Sequence, residues 1–235
     1  MSTRPNFMKT LSKFNAKLPR NRLICEFSIW SANLLRLEDD LQRIATHADI
    51  LHIDVADGNF APALLFFPDL VAAMRKVTNL PIHVHLMASN EILLSQIEQF
   101  ADAGSDLISI HVENAPMTMD ALDHIKTKGI AAGVVLKWDT PVSDAAPYIE
   151  KIDFLTLLGT AIGVKGQSLS DAALGRLGQA KALIADRDVI LAADGGIREN
   201  TVPLLRQAGA ETVVLGSLAF AAPDLPARMA WLKTL

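Results

Sequence analysis

The chain has 235 residues, half of them hydrophobic and 20% charged, with a formal net charge of −4 and a single cysteine, Cys25. That much apolar surface offsets chain entropy and excludes a disordered protein. One cysteine excludes a disulfide scaffold, no apolar run reaches the roughly 18 residues that span a bilayer, and a mildly acidic balance gives no reason to expect nucleic acid.

Residues 1–22 carry Arg4, Lys9, Lys13, Lys17, Arg20 and Arg22 and no acid, which leaves the remainder at −10. Phe7, Leu11, Phe14 and Leu18 follow helical spacing. A basic cap helix over 6–18 is expected, closing the N-terminal end of a catalytic domain over 23–235. A transit segment is the weaker alternative. Without an apolar block and cleavage site, secretion is not expected; a lone cysteine agrees with a reducing cytoplasm.

Eight short, β-branched runs follow, at 23–28, 50–55, 81–87, 106–112, 130–136, 153–158, 188–193 and 211–216. Their mean spacing is about 27 residues, room for one strand, one helix and two loops. Helical patterns occupy 34–47, 68–77 (opening with Pro68) and 91–103 (stopping before Gly104). Eight such units predict an α/β fold, a single (β/α)8 TIM barrel; a doubly wound open sheet is the runner-up. In a barrel the chemistry sits at the C-terminal strand ends.

Those ends are polar. The first run ends at Ser28, and the second carries His52 and Asp54, then the turn-like Asp57-Gly58. The third carries His83 and His85, and the fourth ends at His111 and Glu113. The fifth ends at Lys137, the seventh at Asp194-Gly195-Gly196 and the eighth at Gly216-Ser217. A period of two puts His52 with Asp54, and His83 with His85, on one face. Two histidines and two aspartates at one mouth suit a divalent cation. Taken singly, each residue reads more simply as a hydrogen-bonded rim group or a turn.

The segment His52-Ile-Asp-Val-Ala-Asp-Gly-Asn-Phe-Ala-Pro62 resembles the second-strand signature of ribulose-phosphate 3-epimerases. His83-Val-His-Leu-Met87 is similar to their third-strand signature. Ser28-Ile-Trp-Ser31, Ala193-Asp-Gly-Gly-Ile197 and Gly216-Ser217 match other strand ends, in order from about residue 23 to 220. The resemblance implies C3 epimerisation of a phosphorylated ketose through an enediolate. It implies one divalent cation, often zinc, with manganese, iron or cobalt as alternatives, on His52, Asp54, His85 and Asp194. It makes Asp54 and Asp194 the acid and base, places Ser28 on the substrate, and puts the phosphate near Gly195, Gly196, Gly216 and Ser217. A cytoplasmic homo-oligomer is expected.

Several positions depart from the family pattern. The sixth-strand loop reads Leu158-Gly-Thr-Ala-Ile-Gly-Val-Lys-Gly-Gln167, and only its Gly-Gln end matches. Ala56 and Leu157 stand where methionines are common. Trp30 replaces a smaller apolar residue, Asn33 an aspartate and His83 an acid. Lys165, inside the altered loop, is a candidate for substrate oxygen or phosphate. Two competing readings are a decarboxylase or aldolase on the same barrel, including a Schiff base at Lys137, and a non-catalytic sugar-phosphate-binding barrel. The first lacks the Asp-x-Lys motif expected of its group; the second predicts a damaged donor set.

Overall fold

The computed structural model describes residues 13–235. Phe7 and Leu11 of the expected cap helix lie outside the described residues. Nine strands occur among the described residues: β1 (Ile24–Ser28), β2 (Ile50–Asp57), β3 (Leu64–Leu65), β4 (Ile82–Met87), β5 (Leu107–His111), β6 (Ala131–Leu136), β7 (Phe154–Leu158), β8 (Ile190–Asp194) and β9 (Thr212–Leu215). Eight of them pair in parallel, and β1 bonds to both β2 and β9, so the sheet closes into a barrel. The runner-up open sheet is thereby excluded. The ninth, β3, was not anticipated: Leu64 and Leu65 fold back antiparallel against Asp57 and Ala56.

Helices follow the strands: α1 (Leu37–Ile44), α2 (Pro68–Arg75), α3 (Asn90–Asp102), α4 (Thr118–Thr127), α5 (Ala173–Ile184), α6 (Val202–Ala208), α7 (Ser217–Phe220) and α8 (Leu225–Leu232). The connection after β6 is a 3-10 helix, Val142–Tyr148, with Pro147 inside it. A proline cannot donate the backbone hydrogen bond that an α-helix needs there. Gly104 ends α3 at φ +100°, the left-handed region that glycine enters without penalty.

Alternation divides each strand between two environments. Outward residues such as Phe27, Ile53, Val84, Ile110 and Leu155 pack beneath the helices in the main apolar core. Inward residues line the barrel. At its N-terminal end Ile24, Ile50, Leu107, Phe154, Ile190 and Ala192 cluster with Phe14 and Leu18 from the leading segment. Asn15–Lys17 is a single 3-10 turn. Asn15 donates to the carbonyls of Asp153 and Asp188, just ahead of β7 and β8, at 3.1 and 3.0 Å. The buried Arg176 on α5 donates to the carbonyls of Lys137, Trp138, Thr140 and Leu158, tying the upper ends of β6 and β7 together.

Candidate active site

Above the apolar floor, the inward side chains of β1, β2, β4 and β5 are polar. The lower tier is Glu26, His52, His83 and Ser109, all fully buried. The upper tier is Ser28, Asp54, His85 and His111, all buried, joined by Asp194 from β8. Burying so many polar groups is tolerated only when each finds a partner.

His52 reaches up from the lower tier to converge with Asp54, His85 and Asp194. His52 Nε2 lies 3.2 Å from Asp54 Oδ1 and 4.0 Å from Asp194 Oδ2. His85 Nδ1 lies 3.3 Å from Asp54 Oδ1 and 3.9 Å from Asp194 Oδ2. The four facing atoms all lie within 4.8 Å of one another. Tetrahedral ligation at about 2.0–2.2 Å separates donor atoms by about 3.3–3.6 Å, so these spacings fit a small divalent cation with modest contraction. Two imidazole nitrogens and two carboxylate oxygens suit such an ion chemically. The cluster is a candidate divalent-metal site.

Electrostatics separate the two carboxylates. Burial pushes both up. Around Asp54 the adjoining His52 and His85 outweigh it and hold the carboxyl well below the usual range. At Asp194 burial, reinforced by the charge of Asp54 and only partly offset by His52, pushes the carboxyl up to about 6. His52 is raised well above the ordinary imidazole range: Asp54 and Glu26 outweigh its burial. A bound cation would draw both aspartates toward the ionised form.

A cavity of about 310 Å3 opens over the cluster. Ser28, Asp54, His85, Lys165, Asp194, Gly195, Gly196, Gly216 and Ser217 all line it. His52 lies beneath and presents no exposed surface. Ser28 Oγ donates to Asp54 Oδ2 at 2.9 Å. Gly195 and Gly196 have φ of +84° and +71°. A Cβ on Gly196 would sit 2.7 Å from the Leu169 backbone, so the turn requires glycine on both counts. Lys165 reaches across the mouth, donating to the Trp30 carbonyl, with its ammonium 4.5 Å from the centre of the Trp30 ring. Partial burial lowers its pKa.

Other polar strand ends sit apart from the cavity. Lys137 Nζ lies over the Phe60 ring at 4.2 Å and is not among the cavity-lining residues. Asp57 accepts from the backbone of Asn59 and Phe60 at 2.9 and 2.7 Å, a turn at Gly58. His111 Nδ1 meets Glu113 Oε2 at 2.9 Å.

Sequence reasoning missed Glu26. Its Oε2 lies 3.0 Å from His52 Nδ1 and 2.8 Å from His83 Nδ1. The available signal was an acid two residues before Ser28, hence on the same face, inside an otherwise apolar run. Thr160 and Ile162 of the altered sixth-strand loop also line the cavity, as does Arg198, which was not singled out.

The model of the Ribulose-phosphate 3 epimerase family matches residues 24–220. Ribulose-phosphate 3-epimerase of Bacillus subtilis (strain 168) is 34% identical over 201 residues, covering 84% of this chain and 92% of that protein. The Aquifex aeolicus protein of the same name is 36% identical over 191 residues, 80% of this chain and 85% of that one. The chloroplastic ribulose-5-phosphate-3-epimerase of Arabidopsis thaliana is 30% identical over 213 residues, 88% of this chain and 75% of that one. Among solved structures, a 3-hexulose-6-phosphate synthase superposes with TM-score 0.66 at 16% identity, covering 90% of this chain and 99% of that chain. Orotidine 5'-phosphate decarboxylase from Pyrococcus horikoshii OT3 also gives 0.66, at 11% identity, over 89% of this chain and 97% of that chain. These two likenesses establish the barrel alone. With the family match spanning nearly all of the barrel, the chain belongs to the ribulose-phosphate 3-epimerase family.

Proposed function

We propose that this protein is a metal-dependent epimerase that inverts C3 of a phosphorylated ketose. The observation that carries the reading is the facing set of His52, Asp54, His85 and Asp194 at the floor of a 310 Å3 cavity. These four residues would hold one divalent cation, zinc in the first instance, with manganese, iron or cobalt as alternatives. When bound, the cation supplies Lewis-acid stabilisation of the charge that develops as the carbon beside the ketone loses its proton.

The protein's own groups move the proton. Asp54 stands on β2 and Asp194 on β8, with β9 and β1 between them around the barrel. A substrate carbon seated between them offers one face to each carboxylate. One takes the proton from C3; the other returns one to the opposite face. Ser28 orients Asp54 through its 2.9 Å hydrogen bond and meets the substrate from the same wall. Gly195, Gly196, Gly216 and Ser217 bring backbone close to the cavity, where N–H groups receive the phosphate. Lys165, already across the mouth, adds a positive charge over the bound sugar phosphate.

Residues 1–22 are proposed as a cap on the barrel floor, supported by the burial of Phe14 and Leu18 there. No described helix is long and apolar enough to cross a membrane. A cytoplasmic setting is proposed from the lone buried Cys25, whose thiol burial pushes up to about 12, an inert rather than a reactive thiol. Self-association is proposed from exposed apolar side chains, Leu35 and Leu64 above all.

The test is to incubate the zinc-loaded protein with pentulose and hexulose phosphates in deuterium oxide. Deuterium at C3 of at least one, and much less with its unphosphorylated counterpart, is the expected result. No C3 exchange with any of them, while the protein holds zinc, would overturn the reading.

A further inference from the structure

Beneath the cavity, two hydrogen-bonded chains lead away from the two ring ligands, one through the fully buried Glu26 and one to the partly buried Glu113. The first starts at His52. Its Nε2 faces Asp54, and its Nδ1 lies 3.0 Å from Glu26 Oε2. The same oxygen lies 2.8 Å from His83 Nδ1, while Glu26 Oε1 accepts from Thr212 Oγ1 at 3.3 Å. His83 Nε2 then lies 2.7 Å from Ser109 Oγ. Glu26 is fully buried, and its two oxygens meet His52, His83 and Thr212. A single carboxylate oxygen within hydrogen-bond reach of two ring nitrogens accepts from both, so both Nδ1 atoms carry hydrogen. The Ser109 hydroxyl donates to His83 Nε2.

The second chain starts at His85, which turns the other ring nitrogen toward the site. Its Nδ1 faces Asp54, and its Nε2 lies 2.9 Å from His111 Nε2. His111 Nδ1 lies 2.9 Å from Glu113 Oε2. Glu113 accepts besides from the Lys137 amide at 2.9 Å and from the Thr140 hydroxyl, so it too is an acceptor. His111 must therefore donate from Nδ1, leaving its Nε2 to accept from His85 Nε2–H. The hydrogen on His85 is then on the nitrogen opposite to that on His52.

We propose that Glu26 and Glu113 are positioning residues that fix the two ring ligands as opposite tautomers, aiming a lone pair from His52 Nε2 and one from His85 Nδ1 at a single cation. Glu26 acts directly and is itself braced by His83; Glu113 acts through His111. The proposal rests on the cation reading above. A carboxylate behind a ligating imidazole raises its basicity and locks its rotation, and its loss costs 10- to 100-fold in affinity in comparable sites.

Two measurements decide it. Zinc affinity is measured by competition with a chromophoric chelator for the parent protein, Glu26→Gln, Glu113→Gln and His85→Gln. Circular dichroism monitors folding. Glutamine at 26 keeps the shape and one acceptor oxygen but loses the charge, so Glu26→Gln is expected to weaken zinc by about 10- to 100-fold. Glu113→Gln should weaken it less, and saturating zinc should restore most of the turnover in both. Unchanged zinc affinity in a folded Glu26→Gln protein would overturn the proposal. So would two zinc equivalents in the parent falling to one in Glu26→Gln, because Glu26, His52 and His83 would then be a cation site themselves. Unchanged affinity in His85→Gln would instead strike the cation reading. The second measurement needs no substitution: long-range proton–nitrogen correlation spectra of the zinc-loaded parent. Hydrogen on Nδ1 of His52 and His83 and on Nε2 of His85 is expected. The same tautomer at His52 and His85, or hydrogen on Nε2 of His83, would refute it.

Discussion

The two halves of the barrel interior are built on opposite rules. Strands β1, β2, β4 and β5 turn Glu26, Ser28, His52, Asp54, His83, His85, Ser109 and His111 inward. Strands β6 to β9 turn in mostly small or apolar residues, among them Ala131, Gly133, Val135, Phe154, Ile190 and Ala192, with Asp194 as the one acid. The apolar half holds the barrel together by excluding water; the polar half survives because carboxylates satisfy its imidazoles. The halves depend on each other. A Cβ on Gly133 would fall 2.1 Å from Ser109 Oγ, and the ring of Phe154 meets that of His83 edge-on at 5.1 Å. The lesson is that the site is paid for by stability elsewhere, mainly in the outer core between sheet and helices.

Substitutions should separate the two halves. The largest effect is expected at the polar mouth. Asp194→Asn removes one proposed proton-transfer group and one proposed cation donor, so epimerisation should fall by about 100- to 10,000-fold with folding intact. Steady-state rates, with zinc content measured alongside, check this. Next comes the apolar half. Ile190→Ala should lower unfolding free energy by about 2–5 kcal/mol in chemical denaturation, yet leave zinc affinity unchanged. A large loss of zinc affinity there would blur the division between the halves.

Acid should attack the polar half first. Glu113 is mostly buried, and burial pushes its carboxyl up, but His111, Thr140 and the Lys137 amide more than offset this and set it at about 2, against an ordinary 4.5. A depressed carboxyl stabilises the fold above its unfolded value and loses that contribution as pH falls through its folded one. Glu113 should therefore contribute on the order of 2–3 kcal/mol at neutral pH, lost between about pH 4.5 and 2. Glu113→Gln should flatten the acid limb of a stability-against-pH curve. The smallest expected effect tests the fit between the halves: Gly133→Ala should cost about 1–3 kcal/mol as Ser109 and Phe154 are pushed aside.

The barrel was legible in the sequence because its signal is local and repeated. All eight runs became barrel strands, with ends displaced by no more than about two residues, as boundary effects allow. The mouth was legible because the barrel places chemistry at strand ends, and the resemblance named the same positions. The acid of the tier below, Glu26, was not. Glu26 is a lone acid in an apolar run, and its partners stand 26 and 57 residues away on other strands. His83 read as a departure from the family pattern, an imidazole where an acid is usual; in the fold the acid beside it comes from β1 instead. Leu64 and Leu65 were missed because two residues carry no periodicity. Pro147 inside Val142–Tyr148 marks where the helix is not α-helical.

The most direct measurement of the central claim is the position of the cation. A crystal of the zinc-loaded protein, with anomalous data collected at the zinc edge, locates the metal independently of any activity. The account predicts one peak, bonded to His52 Nε2, Asp54, His85 Nδ1 and Asp194 at about 2.0–2.2 Å. A protein that takes up no zinc, or a peak seated among Glu26, His52 and His83 instead, would contradict it.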